Sequence, residues 1–297
     1  MTIIVSAIGQ GLLWGVLGLG LFLSFRILDF PDMTVEGTFP MGASVTVICL
    51  VHGINPLLAT LFAFLAGTLA GLATGLLYTK GKIPILLAGI LVMTSLYSIN
   101  LRILTKANVS LIGKDTIFSS HFLASLPASF DSVVLGIILV VVSICLLAFF
   151  LNTELGQAFI ATGDNEKMAR SLGIQTDRMK ILGLMVSNGF IGLAGGLIAQ
   201  NNGYADISMG IGTIVIGLAA IIIGEVVFGN LSLTARLIAV VIGSIFYRFV
   251  ILIVLSLGFN ANDLKLISAI ILAFCLMLPT LRKSLRLNTL FEGGRTK

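Results

Sequence analysis

Charge is what this sequence has least of: only 10% of its 297 residues are Asp, Glu, Lys or Arg, against roughly 25% in an ordinary soluble domain. Apolar residues make up 57% instead, so there is too little polar surface to cover a water-soluble fold. Cysteine is scarce and odd in number. Cys49, Cys145 and Cys275 each lie in an apolar run, which argues against a disulfide framework and for small buried hydrophobes. The two histidines, His52 and His121, form no H-E-x-x-H pair, so the ligand set of a membrane zinc protease is missing. The phosphate-cradling string G-x-x-x-x-G-K-[ST] is missing too, because in GLLYTKGKI Leu76 takes the first glycine position and Ile83 the last. No G-x-G-D segment supplies the acids for aspartyl proteolysis in lipid. No catalytic residues, no metal ligands and no cofactor are assigned to this chain.

Long uncharged runs are what the sequence does have. Residues 3–25, 37–79, 83–101, 132–153, 181–205, 207–224 and 266–281 contain no Asp, Glu, Lys or Arg, and about 20 apolar residues cross a bilayer core as a helix. None alternates with the two-residue period of a barrel strand. Backbone groups in lipid must be satisfied internally, so helices remain. The expectation is an all-α polytopic bundle of about 8–10 transmembrane helices, one transmembrane domain over 1–297. Spans are read at 3–25, 35–52, 55–79, 83–104, 131–151, 180–202, 207–229, 233–256 and 262–280. The first lacks a basic residue before Arg26 and a cleavage site, so it reads as a span and not as a removable leader.

Basic residues orient this layout. With the N-terminus outside and the C-terminus in the cytoplasm, thirteen of the 18 Lys and Arg residues fall on inner ends and loops, as the positive-inside bias requires. Inner basic loops facing anionic lipid then account for the net charge of +5 without a nucleic-acid partner. The outer 105–130 segment reads either as a surface amphipathic helix or as a plain loop. Gly67, Gly71 and Gly75 recur every four residues in the third span, a spacing that brings helix backbones close, within the chain or across a dimer. A weak internal echo joins DMTVEGTFPMGA to DISMGIGTIVIGLAA, each an Asp followed by a glycine-containing entry to a span.

One passage runs against the shortage of charge. TGDNEKMARSLGIQTDRMK, residues 162–180, holds seven of the 31 charged side chains. Asp164 can cap a helix start and Gly173 can end it in the left-handed conformation, giving about two turns. Met168, Ala169 and Leu172 group on one face, with Glu166, Lys167 and Arg170 on the other, and Thr176 is a possible cap for the next span. So short a helix needs a surface to rest on: either its own membrane helices or a partner protein.

The segment from Glu154 to Leu197 resembles the cytoplasmic coupling region of permeases in the branched-chain amino-acid and ribose class of ABC importers, whose form is approximately G-E-N-x-x-A-A-x-x-x-G-I. Gly163, Asn165, Ala169, Gly173 and Ile174 match; Asp164 stands for Glu and Met168 for the first Ala. SFRILDFPDMTVEGTFPMGASV, IIIGEVVFGNLSLTARLIAVVIGSIFYRFVI and NDLKLISAIILAF extend the resemblance along the chain, and look most like the tryptophan/tyrosine-type branch. The resemblance implies a coupling loop at about 152–180 that meets a cytoplasmic ATPase through Asp164, Asn165, Met168, Ala169, Leu172 and Gly173. It further implies a second permease copy, an extracellular solute-binding protein, and ATP and Mg held by the partner ATPases. A secondary carrier or channel working without an ATPase is the alternative.

Ionisable groups at membrane depth are costly and so are candidate sites. Glu225 and Arg236, at the inner ends of adjacent spans, could pair as an inner gate, or Arg236 could snorkel. Arg248 could hold a carboxylate, pair with Asp263 or serve structure. Asp32 and Glu36 flank Pro31 and Pro40 in an expected broken or re-entrant segment, with the acids in cytoplasm or a wet cavity. Ser95, Asn100, Asn188, Gln200 and Asn201 are pathway candidates, or amides that hold helices together.

Overall fold

The computed structural model describes residues 2–119, 130–229 and 231–258, together with 263, 266–270, 272–274 and 277. Helix follows helix with few interruptions. The order is α1 (Thr2–Phe22), α2 (Val35–Val51), α3 (Pro56–Thr79), α4 (Ile85–Leu104), α5 (Phe130–Asn152), α6 (Glu154–Asp164), α7 (Glu166–Ser171), α8 (Thr176–Asn202), α9 (Thr213–Phe228) and α10 (Leu233–Ser256). Among the described residues seven helical segments are long and apolar enough to cross a membrane, and α2 is a shorter apolar helix of 17 residues. Within the expected span at 262–280 the described residues 266–270, 272–274 and 277 are helical; Cys275 and the basic C-terminal stretch lie outside the described residues.

The centre of the bundle is α8, which packs against α1, α2 and α3. Lipid tails give apolar side chains no reason to prefer a neighbouring helix, so helices in a membrane associate through close backbone contact and interhelical hydrogen bonds. The sequence supplies that contact on α3. A Cβ at Gly67 would meet the Asn188 carbonyl, and one at Gly71 would meet the Leu184 carbonyl. The four-residue glycine stripe is therefore used inside the chain, against α8, and is not free to join two copies. The same logic holds α1 to α10, where Ser244 donates to the Gly11 carbonyl at 2.6 Å.

The expected broken segment exists, but not at both prolines. After α1 the helix widens into a π-helical turn at Leu23–Ile27 and then the chain runs irregularly to α2, with Asp29 in the left-handed region at φ 57°. Pro40 lies inside an unbroken α2. Its missing N–H frees the Glu36 carbonyl from that helical bond, and the backbone of Gly210 packs against this carbonyl.

In the described part of the 105–130 segment, residues 105–119, neither expectation accounts for what is there. Asn108–Ser110 forms β1, which pairs antiparallel with β2 (Tyr204–Asp206) just after α8. This ribbon ties the α4–α5 connection to the end of the central helix. Residues 120–129, including His121, lie outside the described residues.

Candidate functional site

The charged passage folds into two short helices in series. Thr153 caps α6 by accepting from the Gly156 amide at 3.2 Å. The backbone of Gly163, near its end, packs against Ile27 and Leu28 below α1. The residue that starts α7 is Asn165, whose Oδ1 accepts from the Met168 amide at 3.0 Å. Asp164 is instead the last residue of α6. Both types cap well, but only Asn165 has the extended backbone, φ −155° and ψ 96°, that a cap needs. Gly173 ends α7 at φ 84° as expected. Thr176 opens α8 without capping it; its hydroxyl accepts from Arg170 at 2.9 Å.

The apolar residues of α7 do not share one face. Ala169 is fully buried against the body of the protein, whereas Met168 is 49% and Leu172 71% exposed. The charges mostly serve one another. Lys180 pairs with Glu166 at 2.7 Å, Arg170 with Glu166 at 3.0 Å and Arg170 with Asp177 at 3.3 Å. Lys180, 7% exposed in its side chain, also donates to the Tyr78 hydroxyl at 3.3 Å and lies over the Tyr78 and Phe30 rings. A buried ammonium needs partners on every side, and here they come from α7, from α3 and from the segment before α2. The hydrogen bond from Lys180, opposed by partial burial and aided by the Lys180 and Arg170 charges, holds the Glu166 carboxyl below the usual carboxylate range.

From this seam α8 runs to a second polar junction. Asn188, fully buried, donates to Asp32 Oδ2 at 2.8 Å and accepts from the Thr38 hydroxyl at 2.8 Å. The other carboxylate oxygen of Asp32 accepts from the Thr34 amide at 2.9 Å. Asp32 is thus buried at 3% exposure and not in a wet cavity. Glu36 accepts from the Gly212 amide at 2.9 Å and so joins the start of α2 to the entry of α9. The internal echo has a local counterpart here: Asp32 accepts from Thr34, and Asp206 accepts from the Ser208 amide at 2.7 Å, the same turn before a helix entry.

The remaining candidates do not converge. Asn100 donates to the Gly37 carbonyl at 3.2 Å, and Gln200 links the Ile117 amide to the Thr60 hydroxyl at 3.0 and 2.9 Å. Asn201 accepts from Ser132 at 2.8 Å. Ser95 is exposed on α4 and bonds back to the Leu91 carbonyl at 2.8 Å. Four of the five pathway candidates therefore join elements to one another. The expected Glu225–Arg236 gate is not formed. Glu225 pairs with Arg26 at 2.7 Å, a partner hidden from the sequence because it lies so far along the chain, while Arg236 donates to the Leu231 carbonyl at 3.2 Å. Arg248 forms no ion pair among the described residues, Asp263 included. Its guanidinium lies over the Trp14 ring at 4.6 Å and its Nε has no hydrogen-bond partner.

Comparison with known proteins fits this architecture. The chain is 44% identical over 286 residues to a tyrosine transport system permease protein of Clostridioides difficile (strain R20291), covering 96% of this chain and 94% of that protein. Among solved structures it resembles a metal-chelate type ABC transporter in an inward-facing conformation, with TM-score 0.51, 14% identity, and 94% of this chain and 85% of that one covered. It also resembles PsaBC from Streptococcus pneumoniae in complex with Fab, with TM-score 0.52, 16% identity, and 92% and 89% covered. At such identities these two likenesses concern the fold. The sequence pattern of the branched-chain amino acid transport system / permease component family matches residues 3–277. With the buried-helix architecture and the relative aligned along nearly its whole length, that match makes this chain a multi-pass, non-enzymatic ABC-transporter permease belonging to the branched-chain amino acid transport system / permease component family.

Proposed function

We propose that the chain imports an aromatic amino acid, tyrosine or a close analogue, as one of two permease copies driven by cytoplasmic ATPase subunits. The solute follows from the 44% identity to a tyrosine transport permease. The observation that carries the coupling role is α7: an ion-paired seam holds its inner side to α8 and α3, while Met168 and Leu172 stand outward. A partner groove would take these two apolar side chains, framed by Asn165 as the cap, Asp164 just before it and Gly173 as the stop, with Ala169 as the buried pivot. ATP and Mg act on the ATPase, and an external solute-binding protein delivers the solute. The distribution of Lys and Arg supports an arrangement with α7 inside and the N-terminus outside.

Motion of α7 would pass to α8 through the Glu166–Lys180 pair and from α8 to the start of α2 through Asn188 and Asp32. Only contacts that differ between outward-facing and inward-facing states can shift their balance. The test is co-purification with the ATPase and ATP-dependent tyrosine uptake in proteoliposomes. Met168→Arg with Leu172→Arg is expected to remove both while the permease still inserts. Full uptake without ATP, or ATPase association unchanged by the substitutions, would instead favour an ATPase-independent carrier.

A further inference from the structure

Most of the polar residues expected along the pathway are consumed by bonds between elements; a few polar groups elsewhere in the bundle are not. At the end of α1 remote from α6 and α7, a cavity of about 640 Å³ opens between α1 and α10. Ile3, Ala7 and Ile251 are among its apolar lining, and Ser6, Gln10 and Arg248 are polar groups that line it. Its size and its few polar groups match small-molecule sites, which run at about 300–1,000 Å³. Arg248 stands eight residues before the end of α10, about 12 Å along the helix. A guanidinium at such depth is costly without an anion, and its Nε has no partner among the described residues. Trp14, stacked on Phe39 at 5.4 Å, supplies a fixed aromatic face beneath it.

We infer that this cavity is a solute site in which Arg248 binds the carboxylate of an amino-acid zwitterion, with Gln10 and Ser6 bonding its polar atoms and the apolar walls taking its side chain. The inference rests on the reading of the chain as an amino-acid importer. A guanidinium over an aromatic ring keeps its in-plane N–H fork directed outward, and that fork matches a carboxylate in a way a lysine ammonium does not. The solute would therefore be selected at this end of the bundle by its carboxylate.

Trp14 is the only tryptophan in the chain, so emission that disappears in a matched Trp14→Phe complex reports on the Arg248 site. The experiment titrates the full permease–ATPase complex in nanodiscs with L-tyrosine and with tyramine, exciting at the red edge where tyrosine does not absorb. It also measures ATP-driven uptake. L-tyrosine is expected to change Trp14 emission saturably and tyramine, which lacks the carboxylate, is not. Arg248→Gln is expected to weaken the response and raise the uptake KM roughly tenfold or more, with Arg248→Lys between it and the wild type. Gln10→Leu, which keeps the cavity and removes an amide, is expected to raise KM with little change in maximal rate. An equal response to tyramine would overturn the inference, as would an unaltered KM in both Arg248→Gln and Gln10→Leu. So would a response that follows the anionic lipid content of the disc, which would make this a headgroup site. Absence of ATP-driven uptake by the wild-type complex would sink the importer reading itself, whereas normal uptake indifferent to Arg248 would sink only the site.

Discussion

Replacing Glu166 by Gln should loosen α7 more than replacing Lys180 by Met, although each removes one end of the same ion pair. At 2.7 Å the attraction is about 6 kcal/mol in a medium of effective dielectric near 20. Most of that is offset by desolvation of the ammonium, and Glu166, at 41% exposure, is partly screened by water. The net coupling should lie between an exposed pair, about 0.2–1 kcal/mol, and a buried one broken on one side, about 3–5 kcal/mol; about 1–2 kcal/mol is expected. Glu166→Gln leaves an ammonium with 7% exposure and no anion, facing a neutral amide, the Tyr78 hydroxyl and two rings. Lys180→Met leaves an apolar chain in that cleft, and Glu166 turns to Arg170 and water. The loss there should be under about 1 kcal/mol. The double variant should resemble Lys180→Met, because the uncompensated charge has gone. Hydrogen exchange at the amides of Ala169, Leu172 and Ile174, which bond to Asn165, Met168 and Ala169, reads the opening of α7 directly. Exchange should be about 5–30 times faster in Glu166→Gln. Equal single effects that simply add in the double variant would refute the reasoning.

The same contacts predict other outcomes. The Glu166 carboxyl is held below its ordinary range first of all by the Lys180 hydrogen bond, so the docking of α7 that depends on it is present above the unfolded value, about pH 4.3, and is lost as pH falls through the lower folded value. Exchange protection of α7, corrected for intrinsic rates, should therefore be flat near neutrality and drop in acid, and Glu166→Gln should remove that drop. Gly71→Val would drive a side chain into the Leu184 carbonyl and should cost about 1–3 kcal/mol or more through overpacking, measured as a lower unfolding temperature of the purified permease; an unchanged temperature would contradict the α3–α8 contact. Asn188→Leu strips a donor from the buried Asp32 and an acceptor from Thr38. It should destabilise by about 1–3 kcal/mol for each buried group left unpaired, read from denaturation midpoints in nanodiscs.

Some boundaries were legible in the chain and others were not, for physical reasons. The starts and ends of α3 and α4 agree with the expected spans to within two residues, because Pro56 and Pro84 mark entries and Lys80 and Lys106 sit just beyond exits. α8 starts at Thr176, four residues before the Lys180 that the sequence marks, because a lysine reads as the edge of lipid unless its partner is known. The ribbon between β1 and β2 was invisible because three residues are too few to show a period. The capping residue is Asn165, one position beyond the expected Asp164, since the two are chemically equivalent caps and only the backbone angle separates them.

What the sequence determined by itself was the solvent, the class of fold, the family and the position of the segment that stands out in charge. Each depends on composition or on residues adjacent in the chain, and apolar runs of bilayer length admit few structures in lipid. What the tertiary structure alone decided was what each polar residue does. Seven charges between 162 and 180 look like a surface for a partner until Lys180 is seen seated between α3 and α7; four of them then belong to the seam. Asn188 and Gln200 look like a pathway until they are found joining distant elements. A polar group in lipid is defined by the partner that satisfies it, and that partner lies at a distance in sequence which no local pattern records.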